Sequence, residues 1–455
     1  MQPSKAEKIV TTTAAGDVSG MDADTKRLAE MGYTQDMKRN FSVVSLLGVA
    51  FSLANSWFGI SASLITGINS GGTVLTIYGI PWIALISTCV GITLSELASA
   101  MPNAGGQYFW ASELSPKRYA PFASYLTGWL AWTGAIFTCA SVALSLASAT
   151  IGMWQLSHPA PLNPGTPTGW PSNTLAFLVG LTNPNWVFAC LDSATHLAEE
   201  VLHPERTIPI AILSTVAIGF ATSWPYCIAM FFSITSLSEI QNSPTGVPIL
   251  ALFNQALSNK NAALALESLI LITGFGCQIA CHTWQSRLCW SFARDRGLPF
   301  SRWLAIVHPT LDVPLNAHVA SCAVVAVLGL LYLGSSTAFN SMVTACIVLL
   351  YVSYVVPIVA LLYRGRERIR HGPFWLGRVG LVCNVVVLLW TGFCLVVYSF
   401  PSVYPVTPGN MNYICVVYAI VGVIIAVDWM VRGRKCFRGQ DDRQREVEDV
   451  GGFLS

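Results

Sequence analysis

The sequence predicts an all-α protein that crosses a membrane about ten times. Of its 455 residues, 53% are apolar and 11% are charged, whereas soluble proteins carry about 25% charged residues. The mean hydropathy is +0.55, and ten apolar runs reach the ~20 residues that a membrane-spanning helix needs. We therefore expect one polytopic membrane domain.

The ten apolar runs are the predicted spans. Four acidic residues lie within them, namely Glu96, Asp192, Glu267 and Asp428. The pair Gly71-Gly72 separates the first two runs, as expected of a helix end. The predicted spans cover residues 43–67, 73–100, 121–152, 173–197, 208–234, 262–284, 315–334, 338–363, 376–399 and 411–431.

Basic residues predict the orientation of these spans, because cytoplasmic loops are enriched in Lys and Arg. With the N-terminus inside, 24 of the 25 basic residues fall on the cytoplasmic side and Lys260 alone falls outside. Both termini should therefore be cytoplasmic, and we expect the plasma membrane as the location. Residues 1–40 should form a disordered cytosolic tail and residues 433–455 a second tail, around a transmembrane domain of residues 41–432.

The predicted outer loop 155–172 differs in composition from the other loops. Five prolines lie between residues 158 and 171, which is typical of an extended linker without a core of its own. Ser172 and Asn173 follow this linker and should cap the fourth span.

Composition and motifs exclude several functions. The net charge is +2, and without a basic stripe we expect no nucleic-acid partner. The chain has no Walker loop and no H-E-x-x-H helix, and Gly274-Phe-Gly276 lacks the third glycine of a dinucleotide loop. The chain is therefore predicted to be no enzyme and to need no cofactor.

Thirteen cysteines are present, and all but Cys436 lie in apolar segments. This distribution favours small core residues over a disulfide framework. Cys277, Cys281 and His282 could together ligate a soft metal. Buried packing is the favoured interpretation of these three, and it predicts no metal site.

Polar and small residues interrupt two spans near mid-membrane. The first span contains Ser52, Asn55, Ser56, Gly59, Ser61 and Ser63, and the fourth contains Asn183-Pro184-Asn185-Trp186 followed by Asp192. Such clusters indicate helices broken around a cavity, although small residues also allow close helix packing. A carboxylate at this depth costs about 2.5 to 3.5 kcal/mol, so Asp192 is a site candidate, with a satisfied packing role as the alternative.

Broken helices at mid-membrane are typical of secondary transporters. The N-terminal end of a half-helix receives an anion, and freed carbonyl groups receive a cation. A zwitterionic amino acid would suit both ends. A quaternary ammonium ion would instead need aromatic faces, and Trp57, Trp186 and Phe188 lie beside the two proposed breaks. Such aromatic residues also occur as ordinary interfacial residues.

Several stretches point to a family. They are Met31-Gly-Tyr, Asn55-Ser-Trp-Phe-Gly-Ile-Ser61, the residues from Ser95 to Trp110, from Glu199 to Pro209 and from Arg287 to Pro299. In these stretches the chain resembles the amino acid/polyamine/organocation permease superfamily, and within it the fungal amino acid, 4-aminobutyrate and choline permeases. The resemblance covers about residues 31 to 432. The superfamily's F-x-G-x-E stretch is similar to Phe188-Ala-Cys-Leu-Asp192, with Cys190 at the glycine and Asp192 at the glutamate.

The resemblance implies a transporter fold of two inverted five-helix repeats. The family has twelve spans, whereas ten are predicted here. Residues up to about Trp154 resemble the first three family spans, and residues from Asn173 onward resemble the sixth to twelfth. The resemblance thus implies that the family's fourth and fifth spans are absent.

The resemblance also implies secondary active transport of amino acids or related amines, of the 4-aminobutyrate or choline type, coupled to protons and working by alternating access. The expected partners are this small molecule, the proton and the lipid bilayer. The alternative is a non-transporting or inactive truncated relative, such as a substrate sensor. The expected substrate site comprises Asn55, Ser56, Trp57, Gly59, Ile60, Ser61, Trp186, Phe188, Cys190 and Asp192.

Overall fold

A computed structural model of the chain describes residues 23–158, 169–243, 245–401, 403–437 and 439. Within these ranges, ten helices are long and apolar enough to cross a membrane, which confirms the predicted all-α polytopic fold. In chain order the spans are Val43–Leu64, Gly72–Ala100, Ala120–Gln155, Asn173–Glu200, Pro204–Phe232, Lys260–Arg294, Leu315–Gly334, Thr337–Arg364, Arg378–Val397 and Ile414–Cys436.

Local sequence explains where several spans begin and end. Ser42 precedes the first span and forms a reciprocal capping box with Ser45, which satisfies backbone donors at the helix start. Ser172 caps the fourth span through the Leu175 N–H, as predicted. The first two spans meet at Gly72, whose φ of +59° is accessible to glycine without strain.

Short helices connect some of the spans. Gln107–Leu114 lies between the second and third spans, and Ser301–Leu304 lies between the sixth and seventh. Leu237–Gln241 and Pro248–Leu257 lie between the fifth and sixth spans. Of these, Gln107–Leu114 is almost entirely buried, so it belongs to the core rather than to the surface.

The eighth span lies at the centre of the bundle. Within its most apolar window 72% of the residues are buried, against 17% in the seventh span and 22% in the tenth. The third span packs against both the eighth and the sixth. The seventh and tenth spans are therefore peripheral and present apolar surface to lipid.

The two ends of the bundle differ, and we name them by the chain segments they carry. The N-terminal face carries residues 23–42, and the opposite face carries residues 233–259. Because consecutive spans alternate in direction, the N-terminal face also carries the loops 365–377 and 295–314.

Residues 23–40 correct the prediction of a disordered N-terminal tail. Ala23–Glu30 is a helix, and the side chains of Leu28 and Met37 are buried. Arg27 donates to the carbonyl oxygens of Ser99 and Ala100 at 3.0 and 2.9 Å. Burial of apolar side chains and capture of two helix-end carbonyls therefore order this segment.

Three predicted segments lie wholly or mostly outside the described residues. They are residues 1–22 of the N-terminal tail, most of the proline-rich linker and most of the C-terminal tail. The described start of the C-terminal segment continues the tenth span as far as Cys436.

Candidate functional site

The first span breaks at Asn55. The helix Val43–Ala54 ends there, with φ 16° and ψ 69° at Asn55, and a new helix begins at Ser56. The Asn55 side chain accepts from the Phe58 N–H at 3.3 Å and donates to the Thr273 carbonyl oxygen at 2.5 Å. This one amide therefore caps the second half-helix and ties the break to the sixth span.

The fourth span breaks at residues 188–190. The helix Thr182–Val187 ends before Phe188, and the chain continues as a 3₁₀ helix over Leu191–Glu200. Cys190 adopts a left-handed conformation with φ 62°, which costs a residue with a side chain about 1 to 2 kcal/mol. In the comparison with the superfamily's F-x-G-x-E stretch, Cys190 stands at the glycine position.

The two breaks face one small space, which we call the central cavity. Its volume is about 10 Å³, which corresponds to about one water-sized sphere. Most of its lining is apolar or aromatic, and its described lining residues include no Asp or Glu. The lining residues are Leu53, Ala54, Asn55, Phe58, Thr138, Val142, Trp186, Ala189, Cys190, Cys277 and Cys346.

A much larger space opens toward the opposite face, and we call it the outer cavity. Its volume is about 550 Å³, and the first, third, fourth and eighth spans and the loop 409–412 line it. Most of its lining residues carry a hydroxyl or amide group, including Ser141, Ser145, Asn183 and Asn340.

Trp186 lies where the two spaces adjoin, since it lines both. Gly59 on the first span makes this position possible. A β-carbon at residue 59 would lie 3.2 Å from the Trp186 ring and 3.1 Å from Val187, closer than most van der Waals contacts. The glycine thus lets the broken fourth span pack against the first.

The other predicted site residues of the two breaks lie elsewhere. Ile60 is buried in the apolar core, and Trp57 makes an edge contact with Phe51. Ser61 shares a 2.9 Å hydrogen bond with the Tyr226 hydroxyl. These three therefore do not line the central cavity.

Ser56 and Phe188 face the fifth span. A β-carbon at Gly219 would lie 2.9 Å from the Ser56 hydroxyl and 3.4 Å from the Phe188 ring. Phe188 also lines a second space of about 10 Å³ together with Cys190, Tyr351 and Tyr354. Of the ten predicted site residues, Asn55, Trp186 and Cys190 line the central cavity.

Asp192 lies in a buried polar cluster just after the fourth-span break, between the break and the N-terminal face of the bundle. Its Oδ2 accepts from the Gln107 amide at 2.6 Å, and its Oδ1 accepts from the Tyr354 hydroxyl at 2.7 Å. His196 Nε2 lies 3.3 Å from Oδ2. Because Tyr354 also lines the small space beside Cys190, the cluster connects to the region of the break.

The contact between His196 and Asp192 requires a proton. His196 Nδ1 lies 2.7 Å from the Ala104 carbonyl oxygen, and a carbonyl only accepts, so Nδ1 carries hydrogen. In neutral His196, Nε2 is then an acceptor, like the ionised carboxylate that it faces. A hydrogen on either Nε2 or the carboxyl group would make this contact a hydrogen bond.

Ion pairs close the N-terminal face. Arg294 lies 2.6 Å from Glu199, and Arg287 lies 2.8 Å from Glu200. These pairs join the end of the fourth span to the sixth. They also bring together two of the family-like stretches, which begin at Glu199 and at Arg287.

A third ion pair secures the loop 365–377, since Arg366 lies 2.8 Å from Glu96. Asp428, another acidic residue of the spans, binds Arg432 and the Tyr125 hydroxyl. The remaining one, Glu267, is 1% exposed and its Oε2 has no hydrogen-bond partner among the described residues. Two of the four intramembrane acids are therefore held by arginine.

Replacing Glu199 with Gln should destabilise the N-terminal face, because loss of one partner leaves the other charge buried. Arg294 keeps its contacts with Asp36 and with the rings of Tyr33 and Trp290, so we expect about 2 kcal/mol, below the 3 to 5 kcal/mol typical of a broken buried pair. Thermal unfolding of the purified protein measures the effect.

Lys38→Ala is the matched control, because its pair with Asp312 has the same length of 2.6 Å but its side chain is 70% exposed. Exposed pairs contribute about 0 to 1 kcal/mol. Equal shifts in melting temperature for Glu199→Gln and Lys38→Ala would show that burial of the Arg294 pair does not hold this face.

Sequence reasoning missed several residues of these sites. Phe58 and Thr138 line the central cavity, and Gln107, His196 and Tyr354 surround Asp192. His196 carried a usable signal, since it follows Asp192 by four residues within a predicted span. The others come from apolar stretches or connecting segments, where no local pattern marks them.

Comparison with known proteins identifies the family. The profile of the amino acid permease family matches residues 41–161 and 154–421. A choline transporter of Saccharomyces cerevisiae is 45% identical over 492 residues, covering 93% of this chain and 87% of the relative. A 7-keto 8-aminopelargonic acid transporter of the same yeast is 33% identical, covering 86% of this chain and 91% of the relative.

A plant relative extends the match beyond fungi. The amino-acid permease BAT1 of Arabidopsis thaliana is 28% identical, covering 92% of this chain and 96% of the relative. These relatives are transporters rather than enzymes, and their coverage extends over nearly the whole transmembrane domain. The chain is therefore an integral multi-pass membrane protein and belongs to the amino acid permease family.

Proposed function

We propose that this chain carries a choline-like quaternary ammonium ion across the membrane by proton-coupled alternating access. The observation that carries the proposal is that Trp186 lines both the small central cavity at the two helix breaks and the much larger outer cavity. A binding space that is open to one face and sealed from the other is what alternating access requires.

The charges support an orientation of the chain, and coupling to inward proton flow would set the direction of transport. The distribution of Lys and Arg favours a cytosolic N-terminal face, and the outer cavity then opens to the outside of the cell. We infer import across the plasma membrane. An epitope added after Ser455 should bind antibody only after permeabilisation of the cells, and binding to intact cells would overturn the orientation.

The central cavity must widen beyond its volume of about 10 Å³ to hold a substrate. Three of its features favour a cation without a carboxylate. The rings of Phe58 and Trp186 offer faces to a quaternary ammonium ion. Its described lining residues include no Lys, Arg or His, so no cationic side chain is available there for a carboxylate. In addition, the Asn55 side chain already occupies the Phe58 N–H, one of the donors that a substrate carboxylate would need. The 45% identity with a choline transporter supports the same substrate class.

Proton coupling is proposed for the pair of Asp192 and His196. Both side chains are fully buried, and a shared proton makes their contact favourable. Loss of that proton leaves two acceptors facing each other beside Tyr354, which connects the pair to the fourth-span break. Protonation and occupation of the central cavity can therefore stabilise the same arrangement of the broken helix.

Competition measures the substrate class directly. In vesicles containing the purified chain, choline should displace labelled choline at least about 10-fold more effectively than 4-aminobutyrate, because the amino acid adds a carboxylate that lacks a site. Binding to the detergent-purified chain should show the same order. Preferential displacement by 4-aminobutyrate would favour an amino acid permease. If neither compound displaced the label, assignment to the choline and 4-aminobutyrate permeases would be wrong.

A second candidate is a permease relative that binds substrate but does not transport. The alignment with the yeast choline transporter runs over 492 residues, more than the 455 residues of this chain, so part of the relative has no counterpart here. The family profile also matches in two parts that overlap at residues 154–161, at the start of the predicted linker. These observations support the proposal that two family spans are missing at this point.

Uptake and binding together distinguish the two candidates. A chain that lacks two spans of its first repeat should bind choline in detergent and yet give no saturable uptake in vesicles, since the rocking elements would be incomplete. Saturable choline uptake that responds to a pH gradient would show that ten spans suffice and would exclude the second candidate.

A further inference from the structure

Two imidazoles and a thiol meet between the sixth and seventh spans. His282 lies on the sixth span, and His318 and Cys322 lie one helical turn apart on the seventh. Their ligand atoms all lie within 4.8 Å of one another, and the side chains are partly buried. From this geometry we propose that His282, His318 and Cys322 bind a zinc ion that joins the two spans.

The distances between the three groups suit a zinc site. Cys322 Sγ lies 3.7 Å from His282 Nδ1 and 3.7 Å from His318 Nε2. Tetrahedral zinc with Zn–N bonds of about 2.0 to 2.1 Å and a Zn–S bond of about 2.3 Å separates such ligands by roughly 3.5 Å. Both sulfur–nitrogen distances therefore lie within a few tenths of an ångström of those in a zinc site.

Gln278 supplies an independent observation that points to metal binding. Its amide nitrogen lies 2.8 Å from His282 Nε2, while its amide oxygen is buried without a hydrogen-bond partner. Rotating the Gln278 amide by half a turn would place its oxygen where it can accept a hydrogen bond from His282 Nε2–H. His282 would then carry its hydrogen on Nε2 and present the Nδ1 lone pair to zinc, as an outer hydrogen bond does for most metal-binding histidines.

The site differs from the metal cluster that the sequence pattern offered. Cys277 donates to the Leu53 carbonyl oxygen and lines the central cavity, and Cys281 is fully buried. His282, one residue further along the helix, points instead toward the seventh span. Sequence reasoning predicted no metal because it considered one helix alone, whereas the seventh span supplies the other two ligands.

Three protein ligands leave the fourth zinc position open to water. The site lies one turn inside the start of the seventh span at Leu315, on the side of the N-terminal face. The sixth span also carries Arg287 and Arg294, which close that face. A bound zinc ion would therefore restrain the sixth span against its neighbour and raise the thermal stability of this closed arrangement.

Zinc content of the purified full-length chain tests the site. After equilibration with micromolar zinc and removal of excess, elemental analysis should find one zinc ion per chain. Cys322→Ser and His318→Gln should each lose it, and Gln278→Leu should weaken binding about 10-fold. With Co²⁺ in place of zinc, the parent should show a thiolate charge-transfer band that Cys322→Ser lacks.

Two control variants distinguish this site from adventitious binding. Cys415→Ser removes an exposed thiol on the tenth span, and His203→Gln removes an imidazole from a separate cluster with Asp24 and Glu205. Both should retain one zinc ion per chain. The melting temperature in EDTA should be the same for parent and variants, which confirms that all are folded.

Three results would overturn the proposal. They are a parent that binds no zinc, a zinc content that Cys322→Ser and His318→Gln leave unchanged, and loss of the ion in His203→Gln. A zinc-dependent rise in melting temperature that persists without Cys322 would likewise place the ion elsewhere.

Discussion

Replacing Asp192 with Asn should remove the pH dependence of choline binding and abolish concentrative uptake. In the parent, we expect affinity for choline to rise as pH falls, because a proton shared by Asp192 and His196 favours the arrangement that binds substrate. A coupling of this kind is typically worth 1 to 3 kcal/mol, so an affinity change of about 10-fold across the titration is expected. The variant should show a flat profile.

The physical reason is that Asn resembles the protonated acid. Its amide nitrogen can donate to His196 Nε2, where the parent needs a proton. Gln107, which donates to the same carboxylate oxygen at 2.6 Å, can turn its unpartnered amide oxygen toward the new donor. The variant should therefore fold and bind choline at high pH as the parent does at low pH.

Two tyrosine variants provide matched controls for this prediction. Tyr354→Phe removes the hydroxyl that donates to Asp192, whereas Tyr351→Phe removes one that donates to Asn185. Both hydroxyls are buried on the eighth span. Only Tyr354→Phe should displace the pH profile. A parent-like profile in Asp192→Asn would assign this carboxylate a purely structural role.

The two helix breaks could be predicted because lipid penalises unpaired polar groups. Clusters of hydroxyl, amide and glycine residues within apolar runs indicated interruptions in the first and fourth spans. The structure has them at Asn55 and at residues 188–190. Ten spans likewise followed from length and hydropathy, which are properties of the chain alone.

The direction of each side chain could not be predicted in the same way. Spans of this chain are apolar on nearly every face, so periodicity does not identify the face that meets the cavity. Ser61 turns to Tyr226, whereas Phe58, an unremarkable apolar residue in the sequence, lines the central cavity.

The partners of Asp192 show a second limit of sequence reasoning. Its hydrogen bonds come from Gln107 and Tyr354, 85 and 162 residues away along the chain. Contacts of that separation depend on how the spans pack, and a single sequence contains no local pattern for them. The zinc site has the same property, because His318 approaches His282 from a different helix.

Replacing Trp186 with Ala should weaken choline binding by about 10- to 30-fold. Trp186 lines both the central and the outer cavity. A desolvated cation–π contact contributes up to about 2 kcal/mol, which corresponds to roughly 30-fold in Kd. Loss of the ring would also open the central cavity to the outer one, so that water competes for the cation.

Equilibrium binding of labelled choline to the purified protein measures this effect without requiring transport, and it therefore applies to either candidate function. Trp186→Phe should retain most of the affinity, because it keeps an aromatic face against Gly59. Trp57→Ala is the matched control, since Trp57 contacts Phe51 and lines neither cavity. Of the two tryptophans, only Trp186 lines the central cavity. A Kd within about 2-fold of the parent for Trp186→Ala, or a larger loss of affinity for Trp57→Ala, would therefore place the ammonium site away from the helix breaks.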